Sequence, residues 1–288
     1  FEGFAAIISS TQMNIPTIHV EGGDITEGGA LDDSVRHSMT KLAHIHFTTN
    51  NEATKRILKM GEEKWRVKTV GFPAIDLIKQ KLYYNEKEIE KKIKLSFQKP
   101  TILFTQHSVT TKFKDTKSQI NESLKALKKI SDEGVQVILT YPNNDVGGKI
   151  IINEINKYKK QKNFFIFKSL GIRLYHGILA LNMKNRIIVC AGNSSSGIKE
   201  TAIFGCPTLN IGTRQKSRMR GRNIIDVDYD SNKIYKKLKK CLFNKNFINR
   251  CKKTDNPYGG GNTGKKIVNY INKLNFSKDK ILTKKHSI

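Results

Sequence analysis

Short apolar runs, most of them rich in β-branched residues, recur along the chain between polar turns. In the first third, residues 5–9, 17–20, 46–49 and 67–70 read as strands. Residues 34–43 and 51–60 have helical spacing. The same alternation resumes after Pro100. Residues 101–105, 135–140, 164–167, 187–190 and 207–211 read as strands, and 119–131, 149–159, 171–182 and 198–204 as helices. Continuous apolar runs of this length suit parallel strands covered on both faces. Strand–helix alternation predicts an α/β fold with ligands beyond the carboxyl ends of the strands. Between the two series lies a highly charged stretch, 83–99, which marks the expected boundary. The expected organisation is a domain over 1–96, a second over 97–260, and a region over 261–288 made of a terminal helix (265–274) and a basic tail that frays after Phe276.

One stretch organises the second series: Arg186-Ile-Ile-Val-Cys-Ala-Gly-Asn-Ser-Ser-Ser-Gly-Ile-Lys-Glu200. A buried strand runs into a small, polar turn and then into a helix closed by Gly205. A helix start offers unpaired N–H groups and partial positive charge, an anion site. Ser194 and Ser195 add hydroxyls without bulk. The alternative is a capped turn with nothing bound. Other polar residues follow strand ends: Glu21 after 17–20, His107 after 101–105, Asn143 and Asp145 after 135–140, and Arg214 after 207–211. Asp32 and Asp33 follow a Gly-rich loop over 21–31, where paired acids suit acid–base work; Asp33 also reads as a helix N-cap. Arg36 and His37 can pair with them. Glu200 could accept hydrogen bonds from ribose hydroxyls or face solvent. Residues 259–266, Gly-Gly-Gly-Asn-Thr-Gly-Lys-Lys, come close to G-x-x-x-x-G-K-[ST]. Lys266 stands where a magnesium ligand is needed, and no strand precedes the glycines, so this is a loop before a helix.

Composition narrows the classes. The chain has 288 residues, 38% of them hydrophobic, enough for two ordinary cores. The net charge is +27. Its lysines are spread among Asn and Ile without a nucleic-acid motif, so nucleic acid is not the expected partner; a positive field suits a small polyanion. No apolar run approaches the roughly 20 residues of a membrane span. No basic-then-apolar leader opens the chain, so a cytoplasmic location and no membrane partner are expected. Its four cysteines form no C-x-x-C pair, which supports neither a zinc site nor a disulfide framework.

In order along nearly the whole chain, several segments resemble the UDP-N-acetylglucosamine 2-epimerase family, especially its hydrolysing branch. They are His19-Val-Glu-Gly-Gly-Asp24, Leu31-Asp-Asp-Ser-Val-Arg-His37, 106–111, 142–145, 192–200, 212–215 and 256–259. The resemblance implies a GT-B-like architecture: two Rossmann-like domains facing a cleft, the N-terminal one incomplete, with UDP on the C-terminal one. It implies loss of UDP with the carbon-two proton, giving a glycal, then hydration to the 2-epimeric free sugar. Residue by residue, it implies acid/base roles for Glu21 and Asp32 and a phosphate-side role for His107. Ser194 and Ser195 would bind phosphate, Glu200 the ribose, Arg214 the nucleotide side, and Asn143 and Asp145 would line the pocket. It further implies no metal or redox cofactor, a homo-oligomer, and a place in sialic or legionaminic acid synthesis. The substrate is UDP-GlcNAc, giving ManNAc, or a UDP-diacetamido-trideoxyhexose. Two alternatives stay open: a non-hydrolysing epimerase and a UDP-sugar-binding remnant. The chain opens Phe-Glu-Gly-Phe without Met, and family members carry a catalytic Gly-Asp-Arg turn expected just before Phe1. N-terminal truncation is therefore expected, with the isolated chain inactive or poorly folded.

Overall fold

The computed structural model describes residues 2–27, 31–274 and 278–285. The chain forms two compact units, one of Phe1–Lys79 with Pro257–Ile288 and one of Gln80–Asn256.

The first unit opens with α1 (Glu2–Gln12), β1 (Ile18–Val20), α2 (Leu31–Leu42), β2 (Ile45–Thr48), α3 (Asn51–Lys59), β3 (Val67–Thr69) and α4 (Ala74–Lys79). The three strands pair in chain order, all parallel, with Val20 opposite Phe47 and Phe47 opposite Lys68. The central strand β2 is buried at every position. Residues 5–9, expected as a strand, are helical. Only Ile7 of α1 is buried, so the run packs on one side instead of being covered on both. The hydroxyls of Ser9, Ser10 and Thr11 return to carbonyls four residues back, at 3.1, 2.9 and 2.7 Å, which a strand could not offer.

The second unit contains α5 (Glu86–Ile93), β4 (Thr101–Thr105), α6 (Thr116–Asp132), β5 (Gln136–Thr140), α7 (Gly148–Asn156), β6 (Phe164–Phe167) and α8 (Gly171–Ala180). β7 (Ile188–Gly192), α9 (Ser196–Lys199), β8 (Thr208–Ile211), β9 (Ile224–Val227), α10 (Ser231–Phe243) and α11 (Lys245–Lys252) follow. The sheet order is β6-β5-β4-β7-β8-β9, with every pair parallel. Numbered within the unit this is 3-2-1-4-5-6, the doubly wound dinucleotide-fold order, whose direction reverses between β4 and β7. Ile102, Phe104, Val189, Ala191 and Leu209 share a core with Leu124 and Leu127 of α6 and Ile234 and Leu238 of α10. Each of these Val, Leu, Ile and Phe side chains contributes about 1.5–3 kcal/mol when fully buried. The expected helix over 198–204 is two pieces, α9 and a 3₁₀ turn (Thr201–Phe204), which meet at Glu200.

The chain then returns to the first unit through α12 (Thr263–Ile271) and α13 (Lys278–Leu282). Ile267, Tyr270 and Ile271 pack against Ile45, Phe47 and Val70. The start of α12, where the phosphate loop was rejected, is taken by the chain's own anion: Asp76 accepts from Thr263 N (3.0 Å) and Gly264 N (2.8 Å). The tail expected to fray is held over its described residues 278–285. The buried Arg66 guanidinium donates to the carbonyls of Ile281 and Thr283, both at 2.8 Å. Lys284 Nζ lies 2.8 Å from the buried Glu62 carboxylate, which also meets His46 Nε2 and Lys41 Nζ at 3.1 Å. Burial works to raise the Glu62 pKa, but hydrogen bonds from His46 and Lys284 outweigh it and hold the pKa at about 2.

Compactness divides the chain at 79/80 and 256/257, instead of at 96/97 and 260/261. The charged stretch contains α5, whose Asn85–Glu88 capping box fixes its start. Tyr84 N donates to Arg173 O (3.3 Å), and Arg186 Nε donates to Glu86 (2.7 Å), which ties the segment to the second unit. Among the described residues no helix is long and apolar enough to cross a membrane.

Candidate functional site

The exit of β7 sets the geometry of the second unit. Gly192 has φ +118°, and a Cβ there would lie 1.9 Å from the Thr105 carbonyl oxygen, so the turn needs glycine. That approach places the buried Asn193 beside the exit of β4. Its Oδ1 accepts from His107 N (2.7 Å), and its Nδ2 donates to His107 O (2.8 Å). Its own carbonyl accepts from Gln215 Nε2 (2.9 Å) and Arg214 Nη1 (3.3 Å). One asparagine therefore joins three strand exits, those of β4, β7 and β8.

The exit of β5 joins them through His107. The backbone N–H of Asn143 lies 3.1 Å and its side-chain Oδ1 3.2 Å from His107 Nδ1. Burial, reinforced by the Arg214 charge, pulls the His107 pKa down to about 4, against the opposing pull of Asn143 and Asp145. The ring is thus a neutral N–H donor near neutral pH. Asn143 Nδ2 donates to Asp145 (2.6 Å), whose other neighbour is Arg214 Nη2 at 3.9 Å. His107, Asn143, Asp145 and Arg214 form one connected network.

Beside it lies a cavity of about 340 Å³ at the carboxyl end of the sheet. It sits at the topological switch point, where such sheets take ligands. Thr105, His107, Thr140, Ser194, Ser196 and Glu200 line it, with Tyr175 and His176 of α8. Of the two expected serines, Ser194 lines the cavity. Ser195 is outside that lining, and its carbonyl accepts from Ile198 N (3.0 Å) and Lys199 N (2.9 Å). Ser196 lines the cavity and bonds Ser194 Oγ (3.0 Å) and Tyr175 Oη (2.8 Å). Glu200 Oε2 lies 2.7 Å from His176 Nε2.

In the first unit, β1 leads directly into Glu21, a non-glycine residue at φ +67°. That left-handed backbone is strained for a side-chain-bearing residue, and such strain gathers at functional sites. Two glycines follow. At Gly23 (φ +74°) a Cβ would lie 2.4 Å from Ala53 O, and Arg56 donates to the Gly23 carbonyl. Asp32 is exposed in the first turn of α2. Asp33, expected as an N-cap, is buried inside that turn and braces the preceding loop instead. Its carboxylate accepts from Thr26 N (2.9 Å) and Thr26 Oγ1 (3.0 Å) and pairs with Arg36 (3.1 Å). Burial lowers the pKa of His37, with Asp33 opposing. Beneath the Glu21 turn, burial and then His46 take His19 down to about 4. Residues 28–30 of the Gly-rich loop lie outside the described residues.

Asn193, Ser196, Tyr175 and His176 were not singled out by sequence. Ser196 was one of three equivalent serines. His176 meets Glu200 across 24 positions and Asn193 meets His107 across 86, so no local pattern could announce either contact. Among the described residues no group of three or more His, Cys, Asp or Glu could hold a metal ion.

A doubly wound unit with a cavity at its switch point, joined in sequence to a smaller parallel α/β unit, defines a GT-B-like chain. Residues 1–272 match the family model described as UDP-N-acetylglucosamine 2-epimerase, and the chain belongs to that family. It is 37% identical over 238 residues to the Campylobacter jejuni GDP/UDP-N,N'-diacetylbacillosamine 2-epimerase (hydrolyzing), over 81% of this chain and 60% of that protein. It is 32% identical over 270 residues to the Legionella pneumophila UDP-N,N'-diacetylbacillosamine 2-epimerase (hydrolyzing), over 94% of this chain and 68% of that protein. In fold it is similar to the crystal structure of UDP-GlcNAc 2-epimerase from Neisseria meningitidis bound to UDP-GlcNAc. The TM-score is 0.78 at 18% identity, over 94% of this chain and 73% of that one. The chain thus spans 60% of the length of the Campylobacter relative.

Proposed function

We propose that the protein to which this chain belongs is a hydrolysing UDP-sugar 2-epimerase of nonulosonic acid (sialic or legionaminic acid) synthesis, acting in the cytoplasm. The observation that carries the site assignment is the cavity at the β4/β7 switch point, with Ser194, His107 and Glu200 on its walls. In this reading Ser194, Ser196 and the N–H groups of the turn meet the diphosphate, and Glu200 meets the ribose. Ser195 serves through the backbone of the same turn. Arg214, with Asn143 and Asp145, secures the nucleotide side. His107 donates a ring N–H to the departing phosphate oxygen. A neutral donor suits this task, because it stabilises charge developing on the leaving group without binding the ground-state dianion as tightly as a cation would.

Glu21 and Asp32 are the proposed acid and base. One removes the C2 proton as the C1–O bond breaks and UDP leaves, which gives the glycal. Water then adds its hydroxyl to C1 while the other residue gives a proton to C2 on the opposite face and recovers one from that water, and the first residue releases its proton to solvent. The products are the free 2-epimeric sugar and UDP. The substrate is UDP-GlcNAc, which would give ManNAc, or the UDP-diacetamido-trideoxyhexose that the names of the Campylobacter and Legionella relatives indicate. Each should be incubated with the full-length protein and the products followed by proton NMR. A free 2-epimeric sugar appearing with equimolar UDP is expected. A UDP-linked epimer would assign the non-hydrolysing reaction, and unchanged substrate would favour a binding remnant.

A further inference from the structure

We infer that His176 is a positioning residue: it anchors Glu200 so that the carboxylate can receive a vicinal diol, and it thereby sets the preference for a ribonucleoside diphosphate over its 2′-deoxy form. The inference rests on the proposed UDP reading of the cavity and deepens it.

Glu200 occupies the break between α9 and the Thr201–Phe204 turn, with φ −116° and ψ −38°. No helix neighbour fixes its three side-chain torsions there, and ordering them costs entropy when a ligand arrives. His176 removes that freedom. Its Nε2 lies 2.7 Å from Glu200 Oε2, a charge-assisted distance. The histidine side chain is itself 1% exposed. Its ring centroid lies 6.4 Å from that of Tyr175 and 5.8 Å from that of Phe204, so neighbouring rings hold the donor in place. The Glu200 side chain stays 13% exposed and lines the cavity. A carboxylate has about four acceptor positions. One is used by His176, and Oε1 with the remaining lone pairs is left to take two hydroxyl donors from the ligand.

The preceding residue separates this role from phosphate binding. Tyr175 Oη lies 2.8 Å from Ser196 Oγ, which is 3.0 Å from Ser194 Oγ. Consecutive residues of α8 therefore brace different ends of the cavity: Tyr175 the serine turn, His176 the glutamate. His176 acts on the cavity through the glutamate. Removing the ligand's 2′-hydroxyl leaves Glu200 desolvated with one partner missing, a defect that polar sites reject strongly.

Titration calorimetry with UDP and with 2′-deoxy-UDP, on the full-length wild-type protein, His176→Phe and His176→Gln, tests the inference. The wild type should prefer UDP about tenfold or more, the scale of a lost hydrogen bond to a charged group. His176→Phe should reduce that preference to about twofold or less while the 2′-deoxy affinity stays within about twofold. His176→Gln, whose amide Nε2 can reach the same carboxylate, should restore most of it. Retention of the full preference in His176→Phe overturns the inference and leaves the UDP reading standing. So does an equal loss for both ligands that Gln does not rescue, which marks a merely structural histidine. Absence of any preference in the wild type instead overturns the assignment of Glu200 to the ribose.

Discussion

The two units present their polar residues in contrasting ways. In the second, every strand exit around the cavity is tied to another: Asn193 bridges His107 and Arg214, Asn143 meets the His107 ring, and His176 holds Glu200. In the first, Glu21 stands on a left-handed turn and Asp32 on an exposed first helical turn, while the neighbouring Asp33 accepts from Thr26 N and the Gly23 carbonyl from Arg56. A site that only has to hold a leaving group gains from rigidity, because preorganised donors cost nothing to reorient. Proton-transfer groups need access to the reacting carbon and to water. Under the proposed function the contrast separates holding from chemistry, and it can be broken in steps.

The largest effect should come from the proton side. Glu21→Gln in the full-length protein should lower turnover by about 10²–10⁴, the usual contribution of a general acid or base. Normal turnover in a steady-state assay would remove Glu21 from the mechanism. Next is the backbone that builds the holding side. Gly192→Ala forces a Cβ toward Thr105 O at a φ of +118°. It should cost about 3–5 kcal/mol in stability, seen as a lowered denaturant midpoint, because a backbone carbonyl cannot move away cheaply. A wild-type midpoint would mean that the turn has another conformation.

Arg214→Lys should be milder. It retains the charge but loses the fork that reaches both Asn193 O and the Asp145 side. UDP affinity should fall about tenfold, or about 1.4 kcal/mol, with stability little changed. The smallest effect concerns pH, and it appears in both units. His19 and His107 are each held at about 4 when folded, chiefly by burial, against an unfolded value of 6.5. Between those values the unfolded chain binds more protons than the folded chain. The stability these neutral rings contribute is therefore complete above pH 6.5 and is lost as pH falls toward 4. Thermal melts should drop by a few degrees from pH 7 to pH 5, and His107→Gln should flatten the slope. A melt temperature that is constant over that window would contradict both shifts.

Much of the second unit was legible because its strands are unbroken apolar runs followed by glycine or polar turns, as in Ile188–Gly192. The same cue failed at residues 5–9, since four apolar residues and a serine fit a one-sided helix as well as a strand. It also failed for β9, α10 and α11, where lysines and polar residues obscure the apolar spacing of Ile234, Leu238 and Cys241. The Asn85–Glu88 capping box was written in the charged stretch, yet charge alone was read there. Candidate residues at strand ends were legible because the fold class dictates where ligands go. Their partners were not, because His176–Glu200 and Asn193–His107 exist only once helices and strands have packed.

The division between holding and chemistry is tested most directly by titrating UDP into the wild-type protein, Glu21→Gln and Glu200→Ala under one set of conditions. Glu21→Gln should bind UDP within about twofold of wild type, whereas Glu200→Ala should lose about tenfold or more. Equal losses in the two variants, or wild-type affinity in Glu200→Ala, would contradict the assignment of UDP to the β4/β7 cavity.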